Sequence, residues 1–255
     1  MKPLEIKHRV IGGGEPLICV PVVEQDAQSV IREITYLSQS TADMIEWRVD
    51  AFRDFTDYNA IRSVFEAVAP LLGEKLFLYT FRTAHQGGMA QVKAEQLDDL
   101  HDLAAESGCV DLVDLEFFEE DRPLHKIKRL REMGVSVIAS HHDFEQTPSP
   151  EVMKMLLEKM CAGGADIVKL AVMPQNYKDV LNLLDVTAQF REENPDTPVI
   201  TMSMGSLGGI SRISGETFGS CVTFGAHEKP SAPGQFAMKE LRQMLDTIHA
   251  SNQIQ

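Results

Sequence analysis

Short runs rich in Val, Ile, Leu and Phe alternate with longer amphipathic stretches along the whole chain. This alternation limits the fold more than any other feature of the sequence. The runs are LICVPV (17–22), MIEWRV (44–49), KLFLYTF (75–81), DLVDLEF (111–117), VSVIAS (135–140), DIVKLAV (166–172), PVITMSM (198–204) and CVTFGA (221–226). Runs of this kind suit strands covered on both faces, as in a parallel sheet flanked by helices. Helical patterns lie at 26–38, 59–72, 92–107, 122–133, 150–162, 176–192 and 234–249. Gly134 and Gly163-Gly164 follow two of them, and Pro150 can sit in the first turn of another. Strand starts recur roughly every 30 residues, the period of a βα unit, and eight units suit a (β/α)8 barrel. An open doubly wound sheet usually needs fewer strands and an early GxGxxG fingerprint. The early cluster Gly12-Gly13-Gly14 lacks that spacing and follows the charged segment EIKHRVIG. It reads as the turn of an N-terminal hairpin closing the barrel bottom. With no composition break or linker, residues 1–255 are expected to form one α/β domain.

Charge and cysteine usage narrow the function classes. The 24 Lys and Arg against 38 Asp and Glu leave a formal net charge of −14. That balance disfavours nucleic-acid and anionic-membrane partners, which select basic surfaces. Cys19, Cys109, Cys161 and Cys221 are scattered, with no CxxC pair and no zinc-type spacing. Such usage fits a reducing cytosol. The opening MKPLEIKHRVIGGGEP has no apolar signal core, and no run approaches the ~18 residues of a membrane span. A soluble cytoplasmic protein is expected.

Catalytic groups of a barrel sit at the C-terminal ends of its strands, so polar residues inside the apolar runs carry the functional signal. Ile167, Lys169 and Ala171 share one strand face. If that face points inward, Lys169 stands in a largely apolar space that favours a neutral, nucleophilic amine. A buried structural ion pair is the alternative. Ser140-His141-His142-Asp143 closes the fifth run; adjacent strand residues face opposite sides, so the two histidines do not converge on one metal. One of them facing the barrel mouth suits general acid–base work. Glu46, Arg48 and Asp50 alternate on the second run, where they can grip a polyhydroxylated substrate or form an internal Glu46–Arg48 bridge. Arg82 ends the third run, with Gln86 just beyond; Asp114 and Glu116 repeat the two-residue spacing on the fourth, as a supporting polar layer or a filling network. The glycine-rich stretch 204–212, ending in Arg212, is suited to an anion such as a carboxylate. The loop 228–235 is long enough to serve as a lid.

Together these segments resemble type I 3-dehydroquinate dehydratases. The likeness is carried by Glu46-Trp47-Arg48-Val49-Asp50, Phe81-Arg82-Thr83, His142-Asp143-Phe144, Lys169-Leu170-Ala171-Val172-Met173-Pro174, Thr201-Met202-Ser203-Met204, Ile210-Ser211-Arg212 and Ser231-Ala232-Pro233-Gly234-Gln235, in order over nearly the whole chain. The resemblance implies a dimeric (β/α)8 barrel that dehydrates 3-dehydroquinate to 3-dehydroshikimate without metal or added cofactor. It implies that Lys169 forms an imine with the substrate ketone and that His142 serves as general base, then general acid. It further implies that Arg212 holds the carboxylate, that Glu46, Arg48 and Arg82 bind ring hydroxyls, and that Ser231 and Gln235 close over them. One position departs: the family pattern carries a glutamate beside the catalytic histidine, and this chain has Gln86, which keeps hydrogen bonding but supplies no charge. Two other functions compete. Another class I Schiff-base aldolase would want a phosphate site, and a catalytically weakened paralogue binding a quinate-like ligand would find its support in Gln86.

Overall fold

A computed structural model describes residues 4–253; residues 1–3 and 254–255 of the single-domain reading lie outside the described residues. Two short antiparallel strands, β1 (Leu4–Ile6) and β2 (Arg9–Ile11), precede the repeated βα units. The parallel strands are β3 (Leu17–Val22), β4 (Met44–Arg48), β5 (Leu76–Thr80), β6 (Leu112–Glu116), β7 (Ser136–Asp143), β8 (Ile167–Val172), β9 (Val199–Ser203) and β10 (Val222–Phe224). Each pairs with the next from β3 to β9, and β10 returns to β3. At the remaining seam Val199 bridges Ser220, and the Cys221 N–H donates to Val199 O at 2.8 Å. The strands therefore form a nearly closed barrel, as expected.

Helices α1 (Ala27–Ser38), α2 (Tyr58–Val68), α3 (Ala94–Glu106), α4 (Pro123–Glu132), α5 (Pro150–Ala162) and α6 (Tyr177–Glu193) follow the first six parallel strands, and α9 (Met238–Asn252) follows β10. The seventh unit instead carries two short helices, α7 (Gly209–Ile213) and α8 (Gly215–Phe218). Local chemistry starts the helices. Asp26, Asp57, Ser149 and Asn176 each accept hydrogen bonds from N–H groups that a helix start leaves unpaired. Among the described residues, no helix is long and apolar enough to cross a membrane.

Strand alternation divides the apolar core in two. Val168, Leu170 and Val172 belong to the outer cluster under the helices. Ile167 and Ala171 belong to the inner one, so the face they share with Lys169 points into the barrel. Toward the N-terminal strand ends the inner cluster is apolar: Met44, Leu76, Leu112, Ile138, Ile167 and Ile200. Ile11 joins it, with Leu4 and Ile6 packed against it, so the hairpin covers this mouth. Lys7 Nζ donates to Asp111 Oδ2 and to Lys75 O, both at 2.8 Å, and Arg9 pairs with Asp43, tying the hairpin to the strand starts.

Two sequence expectations are corrected here. The hairpin turns at Lys7-His8, where Lys7 takes a left-handed φ of 51°, and not at the glycines. Gly12 and Gly14, at φ of 87° and 125°, lead the chain from β2 toward β3. The fifth run also extends beyond Ser140: β7 continues through Asp143, with Ile138–Asp143 paired along Ile167–Val172 of β8. His141 and His142 are therefore strand residues on opposite faces.

Candidate active site

Along the inner strand faces, apolar side chains give way to charged ones toward the C-terminal ends. Glu46, Arg48, Arg82, Asp114, Glu116, Ser140 and Lys169 are all buried there. Burying this many charges costs free energy unless they pair, and they pair closely. Lys169, 3% exposed, places Nζ 2.9 Å from Asp114 Oδ2 and 4.6 Å from the Phe224 ring centroid. The expected apolar surroundings are thus corrected: an aromatic face and a carboxylate hold this amine. Asp114 Oδ1 lies 2.8 Å from Arg82 Nη2 and accepts the Ser140 hydroxyl at 2.6 Å. Burial pushes the Asp114 carboxyl up, but Arg82 and Lys169 outweigh it and hold the group well below the usual carboxylate range.

His142 faces the barrel mouth, as the strand register requires, while His141 packs its ring edge-on against Phe118. Gln86 reaches His142 from a single 3-10 turn, Ala84–Gln86, beyond β5. Its Oε1 accepts the His142 backbone N–H at 2.9 Å and lies 3.0 Å from Nδ1. A carbonyl oxygen only accepts, so Nδ1 carries the proton and Nε2 keeps its lone pair. That is the tautomer a general base needs. Burial pushes the His142 pKa well below the ordinary histidine value, with the Arg82 and Lys169 cations adding and Asp114 opposing. The Gln86-Gly87 turn must be this compact. Gly87 has a φ of 80°, and a Cβ there would stand 2.4 Å from the Phe144 ring, which stacks at 19° to His142.

The other sequence-predicted residues occupy distinct places. Arg48 forms a two-bond pair with Asp50 at 2.8 Å for each contact, so the internal bridge expected with Glu46 does not form. Glu46 accepts the Thr80 hydroxyl instead. Arg82 is braced by Glu116 at 2.9 Å, Ser140 at 3.1 Å and Asp114. Gln235 accepts from the Ser231 N–H and donates to its hydroxyl, so the two lid residues fold onto each other. Glu46, Arg48, Arg82, Gln86, His142, Lys169, Ser231 and Gln235 all line one cavity, closed by Phe144, Ala171, Met202, Met204 and Phe224.

Arg212 is not on that cavity wall. It is 2% exposed, with Nε buried and unpartnered, and its Nη2 donates to Pro233 O in the lid at 2.9 Å. Burial without a carboxylate neighbour brings its pKa down to about 10, so the guanidinium is a cation awaiting an anion. The neighbouring glycines serve packing. A Cβ on Gly208 would stand 2.0 Å from Ser203 O, and one on Gly234 would stand 2.4 Å from Gly205 O beneath the lid.

Sequence reasoning placed Asp114 only in a supporting layer and gave Phe224 no role, because an aromatic in an apolar run looks like core. A larger cavity, about 370 Å³, lies between α3 and α4, away from these groups. There Lys126 pairs with Asp98 and Glu120, and Arg129 with Asp102. Among the described residues, no group of three His, Cys, Asp or Glu side chains is arranged to hold a metal ion. The geometry joins a buried primary amine, a carboxylate beside it, an imidazole with a free nitrogen and an arginine without an anion. Such a set can attack a carbonyl and move protons next to it.

Comparison with known proteins identifies the family of the chain. The family model for type I 3-dehydroquinase matches residues 18–252. The chain is 41% identical over 250 residues to the 3-dehydroquinate dehydratase of Syntrophotalea carbinolica, covering 98% of this chain and 99% of that one. It is 42% identical, with the same coverage, to that of Listeria monocytogenes serotype 4a. Among solved structures, type I 3-dehydroquinate dehydratase from Clostridium difficile, crystallised with covalently modified comenic acid, superposes with a TM-score of 0.94 at 38% identity, covering 98% of this chain and 99% of that one. The Geobacillus kaustophilus enzyme gives 0.94 at 35% identity, covering 98% and 97%.

Proposed function

The chain belongs to the type I 3-dehydroquinase family and has its hydro-lyase activity on 3-dehydroquinate in the shikimate pathway, and from that premise we propose that Lys169 forms the imine and His142 moves the protons. Family membership sets aside the class I aldolase alternative.

The Lys169 amine adds to the ketone and loses water, giving a protonated imine whose charge Asp114 faces. The imine draws electrons from its neighbouring carbon. His142 Nε2 takes a proton from that carbon, and the released pair moves through the new C=C bond to the imine nitrogen as an enamine. The enamine then expels the hydroxyl one carbon further on, which leaves as water with the proton returned by His142. Hydrolysis of the conjugated imine uses one water, frees Lys169 and releases 3-dehydroshikimate. One positioned acid–base group typically contributes ~10² to 10⁴-fold. Arg212 reads the substrate carboxylate, while Glu46, Arg48 and Arg82 bind ring hydroxyls. Ser231 and Gln235 close above the ring. The cavity beneath them, about 40 Å³, has room for only a few waters.

One observation carries this reading: the Lys169 amine and the His142 imidazole line the same cavity from neighbouring strands. Borohydride trapping with 3-dehydroquinate, followed by peptide mass mapping, tests it. The adduct is expected on Lys169 and is expected to vanish in Lys169→Ala; ligand fixed at another lysine would overturn the assignment.

We also propose one domain over residues 1–255, a cytoplasmic location and a homodimer. The exposed Val152 and Met155 on α5 and Tyr177 and Leu181 on the neighbouring α6 offer an apolar face for a second copy. Sedimentation of the parent and of Leu181→Glu checks the dimer.

A further inference from the structure

The Gln86 amide has two ends, and both are engaged. Oε1 meets the backbone N–H and Nδ1 of His142; Nε2 points the other way, to Glu119 Oε1 at 3.5 Å. Glu119 is an exposed residue of the loop after β6. A carboxylate only accepts hydrogen bonds, so it selects the NH₂ end of the amide, just as the His142 N–H selects the carbonyl end. We infer that Glu119 is a positioning residue for His142, acting through the Gln86 amide to hold its carbonyl on Nδ1 and to polarise it. The inference rests on the reading of His142 as the acid–base group.

The physical argument has two parts. Orientation comes first. If the amide turned over, its NH₂ group would face Nδ1, the proton would shift to Nε2, and the base would lose its lone pair. Polarisation comes second. A negative charge at the NH₂ end increases the negative charge on Oε1, because linked hydrogen bonds reinforce one another. The stronger Nδ1–H···O contact favours the imidazolium that forms when Nε2 takes a proton. Acting through solvent alone, an exposed carboxylate is screened, so the amide route is what gives Glu119 leverage.

Other groups also face this imidazole: Arg82 after β5, Lys169 on β8 and Arg48 on β4 as cations, and Asp114 on β6 as the opposing charge. Glu119 additionally faces His141, as do Asp143 and Glu116, so the test has to separate the two histidines.

The experiment is a set of pH–rate profiles with 3-dehydroquinate for the parent, Glu119→Gln, Glu119→Ala, Gln86→Glu, the double variant Gln86→Glu/Glu119→Gln, and Glu119→Gln in a His141→Asn background. Gln at 119 can still accept from the amide but has no charge; Ala provides neither. Glu119→Gln is expected to lower kcat by about 3- to 10-fold and to move the acidic limb down by about half a pH unit, with KM little changed. Glu119→Ala should cost more. Gln86→Glu should run faster than the parent by roughly 3- to 30-fold, because a carboxylate then meets Nδ1 directly. In that background Glu119→Gln should no longer slow turnover, because the amide to be polarised is gone and the substitution instead relieves the repulsion between two facing carboxylates. Three results would overturn the inference: a Glu119→Gln profile identical to the parent, an effect undiminished beside Gln86→Glu, or an effect lost in His141→Asn. Failure of the underlying reading looks different. In that case His142→Ala turns over normally, or borohydride traps no adduct at Lys169 in the parent.

Discussion

Asp114 and Lys169 stand 55 positions apart in the sequence and meet at 2.9 Å inside the barrel. The same carboxylate holds Arg82 through its other oxygen, so one anion serves two buried cations. This sharing fixes the amine at the cavity and, in the mechanism we propose, sets a negative charge beside the iminium nitrogen.

Removing that charge should cost both fold and chemistry. Asp114→Asn leaves Lys169 and Arg82 facing a neutral amide, and breaking a buried pair typically destabilises by about 3–5 kcal/mol. Urea unfolding should show a loss of that order, and turnover should fall by at least ~100-fold. Parent-like values in both measurements would mean that the pair contributes to neither.

His142→Ala should separate imine formation from proton transfer. In the proposed mechanism carbonyl attack uses the Lys169 amine, whereas C–H cleavage uses the imidazole. The variant should therefore accumulate a borohydride-trappable adduct while releasing almost no 3-dehydroshikimate. Near-normal turnover would move the base to another group.

Arg212 should reveal itself in binding. Hydrogen bonds to charged groups are worth about 1.5–3 kcal/mol, so Arg212→Ala should raise KM by roughly 10- to 100-fold. Arg212→Lys should recover only part of the loss, because an ammonium cannot hold Pro233 O and a carboxylate with the same planar fork. Burial already brings the guanidinium pKa down to about 10, so an anionic ligand relieves an existing cost. A quinate-like carboxylate should accordingly raise the melting temperature of the parent and not that of Arg212→Ala. Equal thermal shifts would place the carboxylate elsewhere.

His101 should set part of the acid sensitivity. It lies on α3, is 3% exposed, and both ring nitrogens are buried without partners. Burial brings its pKa down to about 4, against about 6.5 in an unfolded chain. Below pH 6.5 the unfolded state takes up a proton that the folded state refuses. Stability from this residue is therefore complete above about pH 6.5, declines as the pH falls toward 4, and levels off below. The total is about 3 kcal/mol. Chemical unfolding at pH 7, 5.5 and 4.5 should show a flatter decline in His101→Phe than in the parent; parallel declines would assign the acid sensitivity to other groups.

How much of this was legible beforehand can be read from particular residues. The shared face of Ile167, Lys169 and Ala171 and the opposed directions of His141 and His142 follow from the two-residue strand period, a local property, whereas that the shared face points inward follows from the closing of the barrel. The hairpin turn was misplaced because glycine is the usual residue for a left-handed turn, yet Lys7 takes that conformation and the glycines serve the exit. Arg48 was offered Glu46, its strand-face neighbour, and chose Asp50, because the chain leaves β4 for a 3-10 turn at Val49–Ala51. Glu119 gave no signal at all, since an acidic run after a strand looks like ordinary solvated loop.

The sequence by itself determined the alternating βα units, the barrel class, which residues share a strand face and the family to which the chain belongs. Those properties depend on periodicity and on motifs within a few residues of each other. Tertiary structure alone decided which charge meets which: Lys169 with Asp114, Gln86 between His142 and Glu119, and Arg212 with the carbonyl of Pro233. Each of these contacts joins separate segments of the chain. Its geometry depends on how strands are registered and loops packed around the closed barrel, and no local pattern encodes distances of 3 Å across it.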